Sequence, residues 1–308
     1  MSEKNRIFQK FALSSTVATY FLIFIGGLVR VSGAGLGCPD WPKCFGKWIP
    51  PLSRNEIPQG FDAASYNITL AWIEYLNRLA GMITGLLILI TAILAIINFR
   101  KQKLILIPSI LAAIMVAFQG WYGSIVVKSQ LLPFTVSIHM LIALVIASLL
   151  IYVTYHSFNH ERSHAGSDTK SHKSLLLILW FITIVQILFG TQTRSQIEIV
   201  WDQFPLLAAS AVLARVGLIN HIHAILGICV ALCTILIGLK IQRIPNLSEN
   251  RKQNIWLMVI LVFLQVVVGL ILQIIGLPPV LQVFHLWIAS LLIGVILINY
   301  SELSYQQV

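Results

Sequence analysis

Apolar residues in this chain do not alternate with polar ones; they run on for about 20 residues at a time. Eight such runs stand out, at about 11–29, 72–97, 104–127, 134–155, 174–193, 216–239, 255–275 and 280–299. A helix rising ~1.5 Å per residue needs roughly 20 apolar residues to cross the ~30 Å hydrocarbon core of a bilayer. The pattern predicts an all-α integral membrane protein with eight transmembrane helices in a lipid bilayer. The first run is too long for a signal-peptide core and lacks a small-residue cleavage site, so it is expected to remain as a span. Between the first two runs lies an external loop of about 40 residues, rich in Gly and Pro. A second external loop is expected at 195–215.

The runs also repeat. A shift of 146 carries Asn77 onto His223, Gln119 onto Gln265, Gly123 onto Gly269, Pro133 onto Pro279 and His139 onto His285. One offset for five pairs marks an internal repeat. Arg30 and Arg194, which end the first and fifth runs, are related by 164; the 18-residue difference is extra length in the first external loop. Each half holds four spans, an even number, so both halves have the same orientation. The expected architecture is two tandem four-helix bundles, residues 1–155 and 174–308, joined by a linker at 156–173.

Composition changes this picture little. The chain is 57% hydrophobic and 10% charged, against roughly a quarter charged in soluble proteins. A net charge of +10 would suit nucleic acid, but its placement argues against that partner. Thirteen of the 21 Lys and Arg fall at the N-terminus and at 100–103, 156–173 and 240–252. These segments all share one side, which the positive-inside rule makes cytoplasmic. The reading is a multi-pass protein of the cell membrane with both termini in the cytoplasm. His156, His160, His164 and His172 are irregularly spaced among Ser, Gly and Asp and read as a solvated loop.

Candidate chemistry lies within the spans, where ionisable residues default to function. His139, His223 and His285, with Asn77 as the fourth repeat position, each lie about five to seven residues from the external end of a span, roughly 8–10 Å deep. Facing histidines at equal depth in a bundle can bracket the iron of a haem. The alternative for each is an interhelical hydrogen bond. A small residue follows each position by four, Gly81, Ala143, Gly227 and Ala289, on the same helix face. His221 competes with His223, but the repeat and Gly227 favour His223. Glu74 precedes Asn77 by one turn and can act as a general base or stabilise developing positive charge; an ion pair with Arg78 is the plainer reading. Arg30 and Arg194 are placed to meet outward propionates or to anchor the interface. Cys38 and Cys44 lie in an external compartment where a disulfide persists, or stand as free thiols. Cys229 and Cys233 read as small core residues.

The stretch Gly26-Gly27-Leu28-Val29-Arg30, then Gly33-Ala34-Gly35-Leu36-Gly37-Cys38-Pro39-Asp40-Trp41-Pro42, Cys44, Phe45-Gly46, Glu74-Tyr75 and Arg78 resembles the haem A synthase family. The resemblance runs the length of the chain. It implies oxidation of a methyl group of haem O to a formyl group, giving haem A for terminal oxidases. It further implies a substrate site in the N-terminal half with His139 as ligand. The C-terminal half would hold a haem b cofactor between His223 and His285, bound to iron. Glu74 is then the residue important for activity and Cys38–Cys44 the external disulfide. A haem O synthase and a membrane electron acceptor become the expected partners, and an oligomer is compatible with the family. The departure is Asn77, where the family pattern Glu-x-x-His-Arg has histidine. It keeps open a haem-binding paralogue or an electron-transfer subunit without synthase activity; a transporter is the other rival class.

Overall fold

Each apolar run becomes one long helix in the computed structural model, which describes residues 3–159, 170–245 and 247–305. In chain order these are α1 (Glu3–Val31), α2 (Ile68–Asn98), α3 (Lys103–Lys128), α4 (Pro133–Asn159), α5 (Lys170–Gln203), the short α6 (Ala209–Val216), α7 (Leu218–Gln242), α8 (Glu249–Ile275) and α9 (Pro279–Glu302). All but α6 are long and apolar enough to cross a membrane. Local sequence sets their ends. The Asn67 side chain accepts from the Thr69 and Leu70 amides to start α2. Pro133 and Pro279 open α4 and α9, where a missing N–H costs nothing. Gly276, in the left-handed region, ends α8 and lets Leu277 N bond back to Leu272 O at 3.1 Å. Among the described residues there is no strand beyond an isolated bridge between Cys44 and Lys47.

Large apolar side chains face outward along the spans. Met82, Ile97, Ile114, Phe263 and Ile274 are all more than half exposed, as lipid-facing positions should be. Inside, α1 packs on α2 and α4, α2 on α3, and α3 on α4; the same ring recurs as α5 on α7 and α9, α7 on α8, and α8 on α9. The halves meet along α1–α9, α4–α9 and α4–α5. This pairing is consistent with the repeat. Hydrocarbon offers no hydrophobic drive between helices, so small residues and polar ties hold them. Ser15 Oγ meets Thr91 Oγ1 at 2.9 Å between α1 and α2, and Thr16 Oγ1 meets Thr154 Oγ1 at 2.8 Å between α1 and α4. Across the junction Trp287 Nε1 donates to Tyr20 O at 3.0 Å, and Gln192 Nε2 to Ser137 Oγ at 2.7 Å. Gly294 lets the halves approach closely: a Cβ there would fall 2.4 Å from Tyr20 Oη and 2.5 Å from Ile151 Cδ1.

Three expectations are corrected. The segment 195–215 is mostly helical, because α5 runs on to Gln203 and α6 follows; Ile197 and Val212 bury themselves against Leu272 and Leu277. His156 is not in a solvated loop: it lies within α4, 2% exposed, its ring 4.0 Å from that of Tyr152 and 5.5 Å from that of Tyr305. His172 belongs to the first turn of α5, while His160 and His164 lie outside the described residues. Of the two span cysteines, Cys233 packs against the core but Cys229 is exposed on the outer face of α7. Among the thirteen cations of the segments expected on one side, Arg251 is buried and caps α9 by donating to Glu302 O and Tyr305 O.

Candidate functional site

His223 on α7 and His285 on α9 face each other, their ring centres 6.3 Å apart and their planes at 81°. Two imidazoles on opposite sides of one metal, with bonds of roughly 2.0–2.1 Å and about 1.1 Å from nitrogen to ring centre, stand roughly 6.3 Å apart centre to centre. Backbone carbonyls of both are tied to glutamines on neighbouring helices. Gln265 Nε2 donates to His285 O at 2.7 Å, and Gln186 Nε2 donates to His223 O at 2.8 Å. Glycines back both rings: a Cβ at Gly269 would lie 3.4 Å from His285 Cε1, and one at Gly190 2.9 Å from His223 Cε1. His221 is exposed; two residues from His223, it points to another face of α7.

The N-terminal half builds the same frame around one histidine. Gln119 Nε2 donates to His139 O at 2.9 Å, Gly123 would bring a Cβ to 3.8 Å from His139 Cε1, and Tyr122 stacks near the ring at 6.3 Å and 20°. Asn77 is half-buried on α2. The counterpart of Gly190 is Gly26, and a Cβ there would meet nothing within 4 Å. Where the second half has an imidazole against α5, the first half has open space against α1.

Glu74 sits 4% exposed beneath the first external loop. Its Oε2 accepts from the Cys38 amide at 2.7 Å, and its Oε1 accepts from Arg78 Nη2. Arg78 in turn donates to the carbonyls of Asp40 and Lys43, both at 2.8 Å, and of Cys38 at 3.3 Å. The ion pair at i, i+4 is therefore one end of a latch that fastens the loop to α2. Cys38 and Cys44 are joined by a disulfide and packed with Phe45, Tyr66 and Ala71. Asp40 closes the turn by accepting from the Phe45 and Gly46 amides at 2.6 and 2.9 Å. Gly37 is required here, since a Cβ would fall 2.4 Å from Leu70 O. With the two cysteines bonded to each other and at most 2% exposed, a thiol-specific label applied without reductant should modify neither; labelling of both in the folded protein would refute the bond.

At the external end, Arg30 Nη2 donates to Glu198 Oε2 at 2.6 Å and to Ser195 Oγ at 3.0 Å, a link between α1 and α5 that spacing alone did not show. Arg30 Nη1 and Arg194 Nε and Nη1 are buried without a protein partner. Arg194 lies one turn outward from Gly190, which backs His223, so these guanidinium donors fit an anionic group reaching outward from the histidine pair. His139 Nδ1 and His285 Nδ1 are likewise buried without a partner. Among the described residues no three His, Cys, Asp or Glu side chains converge as a metal cage. Two facing imidazoles and outward guanidiniums instead suit a metal that brings its own planar ligand. Gln186 and Glu198 escaped the reading of the sequence; Gln186 in particular aligns with Leu22, so the repeat did not flag it.

The chain is similar to known proteins along most of its length. Residues 9–297 match the cytochrome oxidase assembly protein family. A haem A synthase of Wolbachia sp. subsp. Brugia malayi is 23% identical over 91% of this chain and 91% of its own length. That of Rickettsia prowazekii is 22% identical over 95% and 97%. That of Shewanella oneidensis is 30% identical over 58% of this chain and 54% of its own. The chain belongs to the cytochrome oxidase assembly protein family, the family of the haem A synthases that its external loop resembles.

Proposed function

We propose that this protein is a haem A synthase, an oxidoreductase that converts a methyl group of haem O to the formyl group of haem A. The supporting observation is the facing pair His223 and His285, set on backbone-tied helices of a chain matched along most of its length by proteins of that name. On this reading the C-terminal half holds haem b between those two imidazoles, with Arg194 toward its propionates. Bound there, haem b supplies one-electron redox chemistry. The chain's own residues fix the ligand directions through Gln186 and Gln265 and keep the outward face cationic.

Haem O is the substrate of the N-terminal half. His139 offers it one axial nitrogen, and Asn77 offers no second, because an amide oxygen is a weak ligand for iron. Substrate iron is therefore five-coordinate or carries a water, and high-spin. Glu74 lies one turn along α2, with its charge already matched by Arg78 and Cys38 N–H; that engagement suits a fixed charge and a loop anchor better than a mobile base. A haem O synthase supplies the substrate, and a membrane electron acceptor removes the electrons.

The test is expression with a haem O source and an intact respiratory chain, followed by haem extraction. Haem A or hydroxylated haem O is expected. Neither appearing would leave the reading that Asn77 favours, a haem-binding paralogue without synthase activity. In the same preparation Asn77→His should move the substrate haem toward low spin, since it supplies a second imidazole at the repeat position of His223; an unchanged spin state would place the substrate iron elsewhere.

A further inference from the structure

The loop between α1 and α2 carries large apolar side chains that the rest of the described protein leaves uncovered. Trp48, Ile49 and Leu52 are 68%, 61% and 65% exposed. This is not slack chain. Cys44 and Lys47 pair their backbones, with N···O distances of 2.9 and 3.2 Å, and the turn brings Trp48 back beside Lys43. Lys43 Nζ lies 5.6 Å from the centre of the Trp48 ring. Pro50 and Pro51, between Ile49 and Leu52, are buried, and Tyr66 Oη donates to Pro51 O. The backbone is pinned and its apolar side chains are held outward. Exposed apolar side chains grouped in this way mark a surface that meets a partner or a membrane.

Depth decides between the two. Between Arg78 and Arg100 the chain carries no charge. At ~1.5 Å per residue that stretch measures roughly 30 Å, one hydrocarbon core. Arg78 therefore marks an edge of the core. It donates to the carbonyls of Asp40 and Lys43, both at 2.8 Å. The loop backbone at Lys43, with Trp48 beside it, thus lies within one side chain's length of that edge, which is headgroup depth. We infer that Trp48, Ile49 and Leu52 are an interfacial anchor seated in the phospholipid headgroup layer on the loop's side of the membrane. Tryptophan settles at that level because its ring is apolar and its N–H is polar. Ile49 and Leu52 reach toward the acyl chains. Lys43 and Arg54, both exposed, meet lipid phosphates, while Lys47 stands 3.9 Å from Glu56. The loop is then held twice, to α2 by Arg78 and to lipid by Trp48. The inference requires no haem in either half.

Full-length protein in nanodiscs of phosphatidylcholine and phosphatidylglycerol, with no other protein present, tests this. The emission lost in Trp48→Phe is that of Trp48. It should lie to the blue of a water-exposed indole. Phospholipids brominated near the top of the acyl chain should quench most of it, lipids brominated near the chain end less, and acrylamide little. Ile49→Trp adds emission one residue away and should show the same pattern without depending on a loss variant. Red-shifted emission from Trp48 or from Ile49→Trp, quenched by acrylamide and untouched by brominated lipid, would overturn the inference and leave the patch to a soluble protein partner.

Discussion

Purified from cells that make haem, the His285→Ala variant should show no low-spin b-type spectrum, and its haem-to-protein ratio should fall by about half or more. The expectation follows from the site's sparse construction. Among the described residues no third imidazole, thiolate or carboxylate joins the His223–His285 pair, so nothing substitutes for a lost ligand. The Gln265 tie is to the backbone carbonyl and survives in alanine, so the helix keeps its place and the imidazole alone is lost. His223→Ala should behave alike. Gly190→Ala should weaken the same spectrum without touching a ligand, since its Cβ would press within 2.9 Å of the His223 ring. His221→Ala is the control and should retain wild-type spectrum, because His221 is exposed. If His221→Ala loses the signal and His223→Ala keeps it, the ligand has been misassigned. An unchanged spectrum in His285→Ala would dismiss the site altogether.

What could be read from the residues alone reflects how strongly a bilayer constrains a chain. Eight spans were legible because hydrocarbon imposes one length and one polarity on each, and caps such as Asn67 and Pro279 only trim their ends. The histidine positions were legible because the repeat supplies three of them at one offset. Elsewhere the signal fails for definite reasons. The segment 195–215 read as loop because Glu198, Asp202, Gln203 and Pro205 interrupt its apolar residues, yet Ile197 and Val212 find cover on Leu272 and Leu277. Gln186 was silent because its chemistry depends on a helix 37 residues away and its repeat partner is leucine. Glu74 was visible as half of an i, i+4 pair, but its bond to the Cys38 amide spans 36 residues, and no periodicity encodes that. His156 looked solvated by its neighbours in sequence, whereas Tyr152 and Tyr305 enclose it in space.

That long-range tie decides what the acid does, and it yields the second large effect. Glu74→Ala should reduce haem A formation roughly 100-fold, the scale on which a displacement of about 1 Å in a positioning element slows an enzyme, while the C-terminal haem spectrum stays intact. The latch predicts more: Arg78→Leu should do the same. Arg78 reaches three loop carbonyls and Glu74 at once, so its loss frees the disulfide loop from α2 as surely as loss of the carboxylate. Arg78→Lys should recover little, because an ammonium cannot fork across carbonyls as a guanidinium does. Limited proteolysis between residues 32 and 67 should rise in both Glu74→Ala and Arg78→Leu, without loss of the spans, which are held by lipid and by contacts far from the loop. Glu74→Gln separates charge from anchorage. An amide oxygen can still accept from the Cys38 N–H, but the pair with Arg78 is gone, so the loop should stay attached and activity should fall less than in Glu74→Ala. If Arg78→Leu forms haem A normally while Glu74→Gln forms none, Glu74 acts on the substrate directly and the latch is incidental.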